Sequence, residues 1–186
     1  MLRLAYSAKA ANEMFFAEDR IQMGLIRDEA MANNCSWIIS QGQKTIIWAH
    51  NVHISEAEFS MSMFPNTKIK GMGSLLSDEF GDKMVSIGAS FGTGEFENED
   101  RSFEMPDENT IDGSLAKLGM DNLIVDLRKP AASEELRKWL MEENSIRGQE
   151  FEMHCVPIEA FDALFYTNKV SKVAYKAATQ QRLNNE

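Results

Sequence analysis

The sequence has 186 residues, of which 44% are hydrophobic and 26% are charged, a balance typical of one soluble globular domain and not of a disordered chain. Its formal net charge of -10 argues against a nucleic-acid-binding surface and against a polybasic membrane anchor. No apolar run approaches the roughly 18 residues of a membrane span, and residues 1–11 lack the apolar core of a signal peptide, so a cytoplasmic location is expected.

The first forty residues predict helix with a weak point at Gly24. Apolar residues recur there at steps of three and four, which places them on one stripe, and Gly42 is expected to end the helical region. Residues 44–50 (KTIIWAH) are short, β-branched and apolar, and they predict a buried strand. Residues 51–70 are polar and irregular, and they predict a long loop.

The rest of the chain alternates between helix and strand patterns. Helices are predicted at 71–80, 114–119, 133–143 and in the tail at 171–186; strands are predicted at 83–90, 122–127 and 150–156; a last apolar run lies at 161–166, and a loop or irregular hairpin at 91–109. Gly81 is expected to close the first of these helices and Ser133 to cap the third. This alternation predicts an α/β fold with a largely parallel sheet flanked by helices.

Two of the three histidines lie in residues 48–53 (WAHNVH), at the predicted carboxyl end of the first strand. Ligands of open α/β sheets bind in the crevice outside the carboxyl ends of strands. Histidine titrates near neutral pH and therefore suits proton transfer or oxyanion binding. A purely structural role for His50 and His53 is the alternative, and the pattern alone does not decide between the two.

Metal binding is a rival interpretation of the same histidines. The HxxH spacing offers two imidazoles, whereas a zinc site needs three or four ligands. Glu56 and Glu58 would be the nearest carboxylates, but both are expected to be solvated loop residues. The zincin motif is absent, so neither a metal nor a cofactor is expected.

Other polar patterns have plainer interpretations. No GxSxG motif supplies a serine nucleophile, and the glycines at 71–73 and 92–94 predict turns and helix starts. Arg27 and Asp28 predict an exposed ion pair on a helix, while Asp126 or Arg128 at a strand end could face a pocket. Cys35 and Cys155 fit no metal or redox spacing and predict reduced thiols, with a single disulfide left open.

The order of these motifs resembles the erythromycin esterase family. Residues 48–53 resemble its most recognisable C-terminal motif, and residues 27–34 with Trp37 resemble the preceding helix. Further similarities lie at Gly71-Met72-Gly73, Ile87-Gly88, Phe91 with Gly94, Asp126-Leu127-Arg128 and Phe161-Asp162-Ala163-Leu164. The similarity covers nearly the whole chain, so residues 1–186 are identified as the C-terminal portion of the family domain.

The resemblance implies a hydrolase of carboxylic esters or lactones that works without a serine nucleophile. Better-known members open the ring of macrolide antibiotics by adding water, which links the family to antibiotic resistance. The resemblance implies that His50 and His53 are catalytic and bind or polarise the ester and its developing oxyanion. It also implies that Arg27 and Asn51 contribute to substrate binding.

The largest departure from the family lies before Arg27. The family's N-terminal half carries the general-base histidine and its supporting glutamates, whereas residues 1–22 here predict a plain amphipathic helix. We therefore expect that the N-terminal half is absent, that the sheet is incomplete and that the chain alone lacks the base, a loss of about two to four orders of magnitude in rate. The expected partners are a small-molecule ester or lactone and the missing half. A truncated non-catalytic fragment, a small-molecule binding module and a metal-dependent hydrolase remain as alternatives.

Overall fold

Two helices begin the chain, and two four-stranded sheets with short helices follow. The computed structural model describes residues 2–42, 44–96, 101–129, 133–148 and 151–172. The helices are α1 Leu2–Phe15, α2 Arg20–Ile39, α3 Asn51–Ile54, α4 Met72–Phe80, α5 Ile111–Ala116, α6 Glu134–Leu140 and α7 Pro157–Ala160. The strands are β1 Phe59–Met61, β2 Phe64–Ile69, β3 Ile87–Phe96, β4 Arg101–Phe103, β5 Asn122–Asp126, β6 Asn144–Arg147, β7 Glu152–Cys155 and β8 Ala163–Val170. Within these ranges no helix is long and apolar enough to cross a membrane.

The N-terminal helical region is confirmed, but it is broken at residues 16–19 and not at Gly24. The Asp19 side chain accepts a hydrogen bond from the Gln22 N–H at 2.8 Å and so caps α2. Gly24 lies inside α2, where helical hydrogen bonding tolerates a glycine at a modest cost. Gly42 follows the end of α2 with a φ of 82°, a conformation that stops a helix.

The α/β class is confirmed, but the largely parallel sheet is not. The strand orders are β2-β1-β7-β6 and β4-β3-β8-β5, and only the β3–β8 pairing is parallel among the six pairings of the described residues. The physical reason is the short connections: two residues join β1 to β2, and such a turn can link only antiparallel strands. Residues 51–70, predicted as one loop, contain the antiparallel β1–β2 hairpin, so helix–strand alternation alone overstates the number of parallel crossovers.

Several boundaries also differ from the prediction. Residues 51–70 contain α3, β1 and β2 where one loop was expected, and β6 was missed. The predicted strand at 83–90 begins at Ile87, and α5 begins before Ser114 because Thr110 caps it by accepting from the Gly113 N–H. The helix closed by Gly81, the strand at 122–127, the hairpin after Phe91 and the Ser133 cap are confirmed. Most of the predicted tail helix, from residue 173 onward, lies outside the described residues.

Residues 44–50 form no part of either sheet, contrary to the prediction of a strand. They nevertheless alternate like a strand: Ile46 and Trp48 point to solvent, while Ile47 and Ala49 pack against Ala32, Met72 and Leu76 of α2 and α4. A strand is defined by ladder pairing with a neighbouring strand, and among the described residues this segment belongs to no such ladder. The segment therefore has strand-like side-chain alternation without strand pairing.

The larger core lies among the strands and short helices. Its buried members are Phe59, Ile69, Ile111, Leu127, Ile146, Met153, Cys155, Ala160, Phe161 and Leu164. Cys35 and Cys155 are both free, and burial raises the pKa of the Cys155 thiol to about 12. Leu164 anchors β8 in this core, and β3 pairs with β8. Asn51, which lies between the two histidines in sequence, bonds the β3 backbone.

Candidate active site

His50 begins the single helical turn α3. Its Nδ1 accepts a long hydrogen bond of 3.4 Å from the Val52 N–H, so the ring proton lies on Nε2. The residue is exposed, and its ring lies 5.7 Å from that of Phe151 between centroids. Partial desolvation and, second, the nearby His53 lower the pKa of His50 below its ordinary value of 6.5. At pH 7 His50 is therefore neutral and carries its N–H donor on Nε2, on the side of the ring that lies beside Gly148.

His53 lies between two neighbouring residues of α2. Its Nδ1 is 2.7 Å from Asp28 Oδ1, and its Nε2 is 2.8 Å from Arg27 Nη1. Because a guanidinium can only donate, Nε2 accepts from Arg27 and the ring proton lies on Nδ1, facing the carboxylate. The two atoms of the Asp28–His53 contact have no hydrogen bond to any other group in the described chain. This pairing fixes both the tautomer and the orientation of the ring.

Asp28 connects three helices. Its side chain is buried, and its Oδ2 accepts the Met72 N–H at 3.2 Å, in the first turn of α4. The positive end of the α4 dipole favours a carboxylate at that place. Asp28 thus joins α2, which carries it, to α3 through His53 and to α4 through Met72.

Gly71 and Gly73 allow α4 to approach the histidine turn closely. A Cβ atom at Gly71 would lie 2.5 Å from the Val52 carbonyl oxygen, and one at Gly73 would lie 2.4 Å from the Ile54 carbonyl carbon. Both distances are far below van der Waals contact, so no larger residue fits without a backbone shift. The predicted helix start is confirmed here, and the glycines set the distance between α3 and α4.

Asn51 holds the histidine turn against the second sheet. Its Nδ2 donates to the Ala89 carbonyl at 2.7 Å, and its Oδ1 accepts from the Ala89 N–H at 2.9 Å. The residue is buried. Both ends of the amide are bonded to β3, so the expected role of Asn51 in substrate binding remains a prediction while its contact with the β3 backbone is observed.

The structure therefore places Arg27 on α2, His50 at the N-cap of α3, and Asn51 and His53 on α3. It adds Asp28, which the sequence interpretation missed. Arg27 and Asp28 were interpreted as an exposed ion pair, but Asp28 is only 5% exposed and both residues contact His53. Ala32 lies one helical turn after Asp28 and is buried on the same face of α2. This spacing is the sequence signal that could have indicated that Asp28 faces the core.

The remaining polar candidates lie away from these contacts. Glu58 is exposed as expected, but Glu56 is half-buried and accepts from Ser77 Oγ at 3.1 Å, so its interpretation as a solvated loop residue is wrong. The Arg128 Nε donates to Asp126 Oδ1 at 3.0 Å in an ion pair that is largely solvated. Over the described ranges, no three His, Cys, Asp or Glu side chains come together as a metal site would require.

The fold and these contacts define an α/β protein whose polar site is assembled from α2, α3 and α4 around His53. The family profile described as erythromycin esterase matches residues 2–170. The chain belongs to the erythromycin esterase family, which confirms the resemblance expected from the motif order.

Three solved structures are similar to this chain. One is a Bacillus cereus protein, with a TM-score of 0.66 and 27% identity over 81% of this chain and 40% of that one. A succinoglycan biosynthesis protein has a TM-score of 0.66 and 20% identity over 85% and 41% of the two chains. A mutant of the erythromycin esterase EreC in its open conformation has a TM-score of 0.60 and 15% identity over 88% and 42%.

This chain therefore spans between 40% and 42% of the length of each of these proteins. The comparison with curated proteins gives no significant match.

Proposed function

We propose that this chain supplies the histidine part of a site that hydrolyses carboxylic esters or lactones. The observation that carries the proposal is the arrangement Asp28–His53–Arg27, with Nδ1 and Nε2 of one imidazole each within 3 Å of a charged partner. Membership of the erythromycin esterase family supports ester chemistry. Macrolide lactones, and with them antibiotic resistance, are the substrate class that we propose.

Ester hydrolysis passes through a tetrahedral intermediate whose oxygen becomes negatively charged, and donors placed near that oxygen lower the barrier. Arg27 is permanently charged, and its five N–H donors include one pointed at His53, which leaves others for the ester. The Nε2–H of His50 is a second donor, and it belongs to an exposed residue. In this proposal His50 and Arg27 bind the carbonyl oxygen, while the Asp28–His53 contact holds the Arg27 guanidinium in position.

Activation of the attacking water is assigned to the part of the family fold that this chain does not span. We propose that this part and a small-molecule ester or lactone are the partners of the chain in the cytoplasm. The donors described above stabilise charge, but a water nucleophile also needs a positioned base. Hydrolysis by the 186 residues alone is therefore expected to be slow.

The test measures p-nitrophenol release from p-nitrophenyl acetate and ring opening of erythromycin. The chain is assayed alone and together with a complementary segment, defined as the residues of the similar Bacillus cereus protein that lie outside its match to this chain. We expect turnover in the mixture, and a fall in kcat/KM of about 10²–10³ in His50→Ala and in Arg27→Ala, as for loss of an oxyanion donor.

His154→Ala is the matched control because it replaces the third histidine, on β7, away from the described site. Its kcat/KM should stay within about twofold of the parent value. Equal turnover in the parent, His50→Ala and Arg27→Ala would remove the assigned roles. Saturable erythromycin binding without turnover would replace the proposal with a small-molecule binding module.

A further inference from the structure

Ile46 and Trp48 form an exposed apolar edge directly before the histidine turn. They are 93% and 98% exposed, whereas Ile47 and Ala49 between and after them face the core. In the part of the chain that the structure describes, no backbone hydrogen bond links residues 46–49 to another segment. We call Ile46 and Trp48, with the backbone of residues 46–49, the 46–49 edge.

The composition of this edge is that of a strand inside a sheet. Strands covered on both faces are apolar on both faces, whereas a strand with one wet face alternates apolar and polar residues. Here Ile47 and Ala49 are covered by α2 and α4, but Ile46 and Trp48 have no cover. An open groove of about 370 Å³ continues from Ile46 along Trp37 and Ile38, so the uncovered apolar surface extends to the end of α2.

We propose that the 46–49 edge is the docking site for the part of the erythromycin esterase fold that this chain does not span, and that a strand of that part pairs with residues 46–49. The structural matches cover 81–88% of this chain but only 40–42% of each similar protein. Each of those proteins therefore contains a further part that this chain does not span. Strand addition satisfies the backbone N–H and C=O groups, and the rest of the docked part covers Ile46 and Trp48, whose side chains point out of the plane of the pairing.

The 46–49 edge lies directly before the histidine turn in the chain, so docking at this edge would take place next to the candidate active site. His50 follows Ala49 directly and caps α3, so a strand paired with residues 46–49 would lie beside the segment that leads into the histidine turn. A second copy of this chain is the less favourable occupant, because each copy carries a net charge of -10 and like charges repel. The inference rests on the proposed function only through the shared family fold, and its test measures binding without turnover.

The experiment uses Trp48 as its own reporter. The chain has three tryptophans, and the Trp37→Phe/Trp139→Phe variant leaves only Trp48, which is 98% exposed. The complementary segment of the Bacillus cereus protein is prepared with its tryptophans replaced by phenylalanine and titrated into this variant. We expect a saturable blue shift of Trp48 emission, protection from acrylamide quenching and a 1:1 complex by analytical ultracentrifugation.

Ile46→Lys should weaken this binding by about tenfold or more, because it places a charge in the centre of the buried surface. Ile124→Lys is the matched control: it replaces an isoleucine that is 70% exposed on the edge strand β5, and it should leave binding unchanged. Circular dichroism checks that both variants keep the parent fold.

Hydrogen exchange of the unmodified chain is the second measurement. The amides of residues 46–49 should exchange rapidly in the free chain and become protected when the complementary segment is added. Absence of a saturable Trp48 change with no new protection would overturn the proposal, and so would equal weakening by Ile46→Lys and Ile124→Lys. A blue shift that depends on the concentration of this chain alone would make a second copy the occupant and would equally overturn it.

Discussion

Asp28 is the residue on which the orientation of His53 depends. In Asp28→Asn, the amide oxygen can take the place of the aspartate Oδ2 and still accept the Met72 N–H. The amide NH₂ group then takes the place of Oδ1 and faces the Nδ1–H of His53, so that two donors oppose each other. We expect His53 to lose its fixed tautomer and the free energy of unfolding to fall by about 1–3 kcal/mol, the cost of an unsatisfied buried polar group. Nitrogen-15 shifts of the imidazole report the tautomer, and chemical denaturation reports the stability.

The exposed Asp82 provides the comparison for that experiment, because Asp82→Asn makes the same chemical change on the short turn after α4. Its stability should stay within about 0.5 kcal/mol of the parent value. A His53 tautomer that is equally well defined in Asp28→Asn and in the parent would show that Arg27 alone holds the ring.

Glu56 should make the stability of the folded chain depend on pH. Burial and, second, the neighbouring Asp162 raise the pKa of Glu56 above its ordinary 4.5, and its Oε1 is buried without a hydrogen-bond partner in the described residues. A raised pKa means that the protonated form is favoured by folding: the stabilisation is fully present below pH 4.5 and is lost as the pH rises through the folded-state value. Glu56→Gln removes this loss.

We therefore expect the Tm of Glu56→Gln to exceed that of the parent at pH 7 and to approach the parent value near pH 4. Scanning calorimetry across this range measures the difference. Glu58→Gln, at the exposed position two residues later, should show no such crossing. A Tm difference that is constant with pH would contradict the assignment of the pH dependence to Glu56.

At the scale of single residues, the sequence pattern singled out His50 and His53 but did not indicate that Asp28 and Glu56 are buried or half-buried. His50 and His53 stand out because histidine is rare in the chain and two of the three share one short motif. Asp28 and Glu56 look like ordinary surface acids, because their burial depends on elements far along the chain, Met72 for one and Ser77 for the other. Burial of a single charged residue follows from tertiary packing, which local composition does not contain.

Among the elements, α4 is sterically constrained where it meets α3. Gly73→Ala would place a Cβ 2.4 Å from the Ile54 backbone, so α3 and α4 would have to separate. We expect a loss of about 1–3 kcal/mol, typical of overpacking, together with altered His53 resonances. Denaturant titration measures the first and NMR the second.

Gly24→Ala is the natural contrast, because Gly24 lies inside α2 and nothing lies within 4 Å of the added Cβ. This variant should gain about 0.5–1 kcal/mol, since alanine loses less conformational entropy in a helix than glycine does. Equal effects of the two substitutions would show that the approach of α4 to α3 is not set by glycine size.

The elements that were predicted well have strong local signals, and those that were missed depend on pairing. Asp19 was not recognised as a cap, but the helical periodicity on either side of it was sufficient to predict α1 and α2. The strand β2 contains Pro65, Asn66 and Lys68, so it has no apolar pattern, and it forms because β1 lies beside it. Residues 44–50 are the reverse case, with a strong strand pattern but no place in either sheet of the described chain.

For the molecule as a whole, protection from hydrogen exchange should follow the distribution of burial. Among the α1 residues whose burial is described, Ala10 is the buried one. In contrast, Leu164 and Tyr166 of the inner strand β8 are almost completely buried. We expect the amides of α1 to exchange before those of β8, as measured by exchange with mass spectrometry. Protection of α1 as strong as that of β8 would mean that α1 is covered in solution.

The contacts that define the histidine site also have a consequence for how the chain folds. Arg27 and His53 are 26 residues apart, Asn51 and Ala89 are 38 apart, and Asp28 and Met72 are 44 apart. Each contact requires closure of a long loop, and such closures are slow compared with the formation of a helix such as α2. The site should therefore be among the last parts of the molecule to reach native order, so an early folding intermediate would contain helix α2 without the histidine geometry that it later supports.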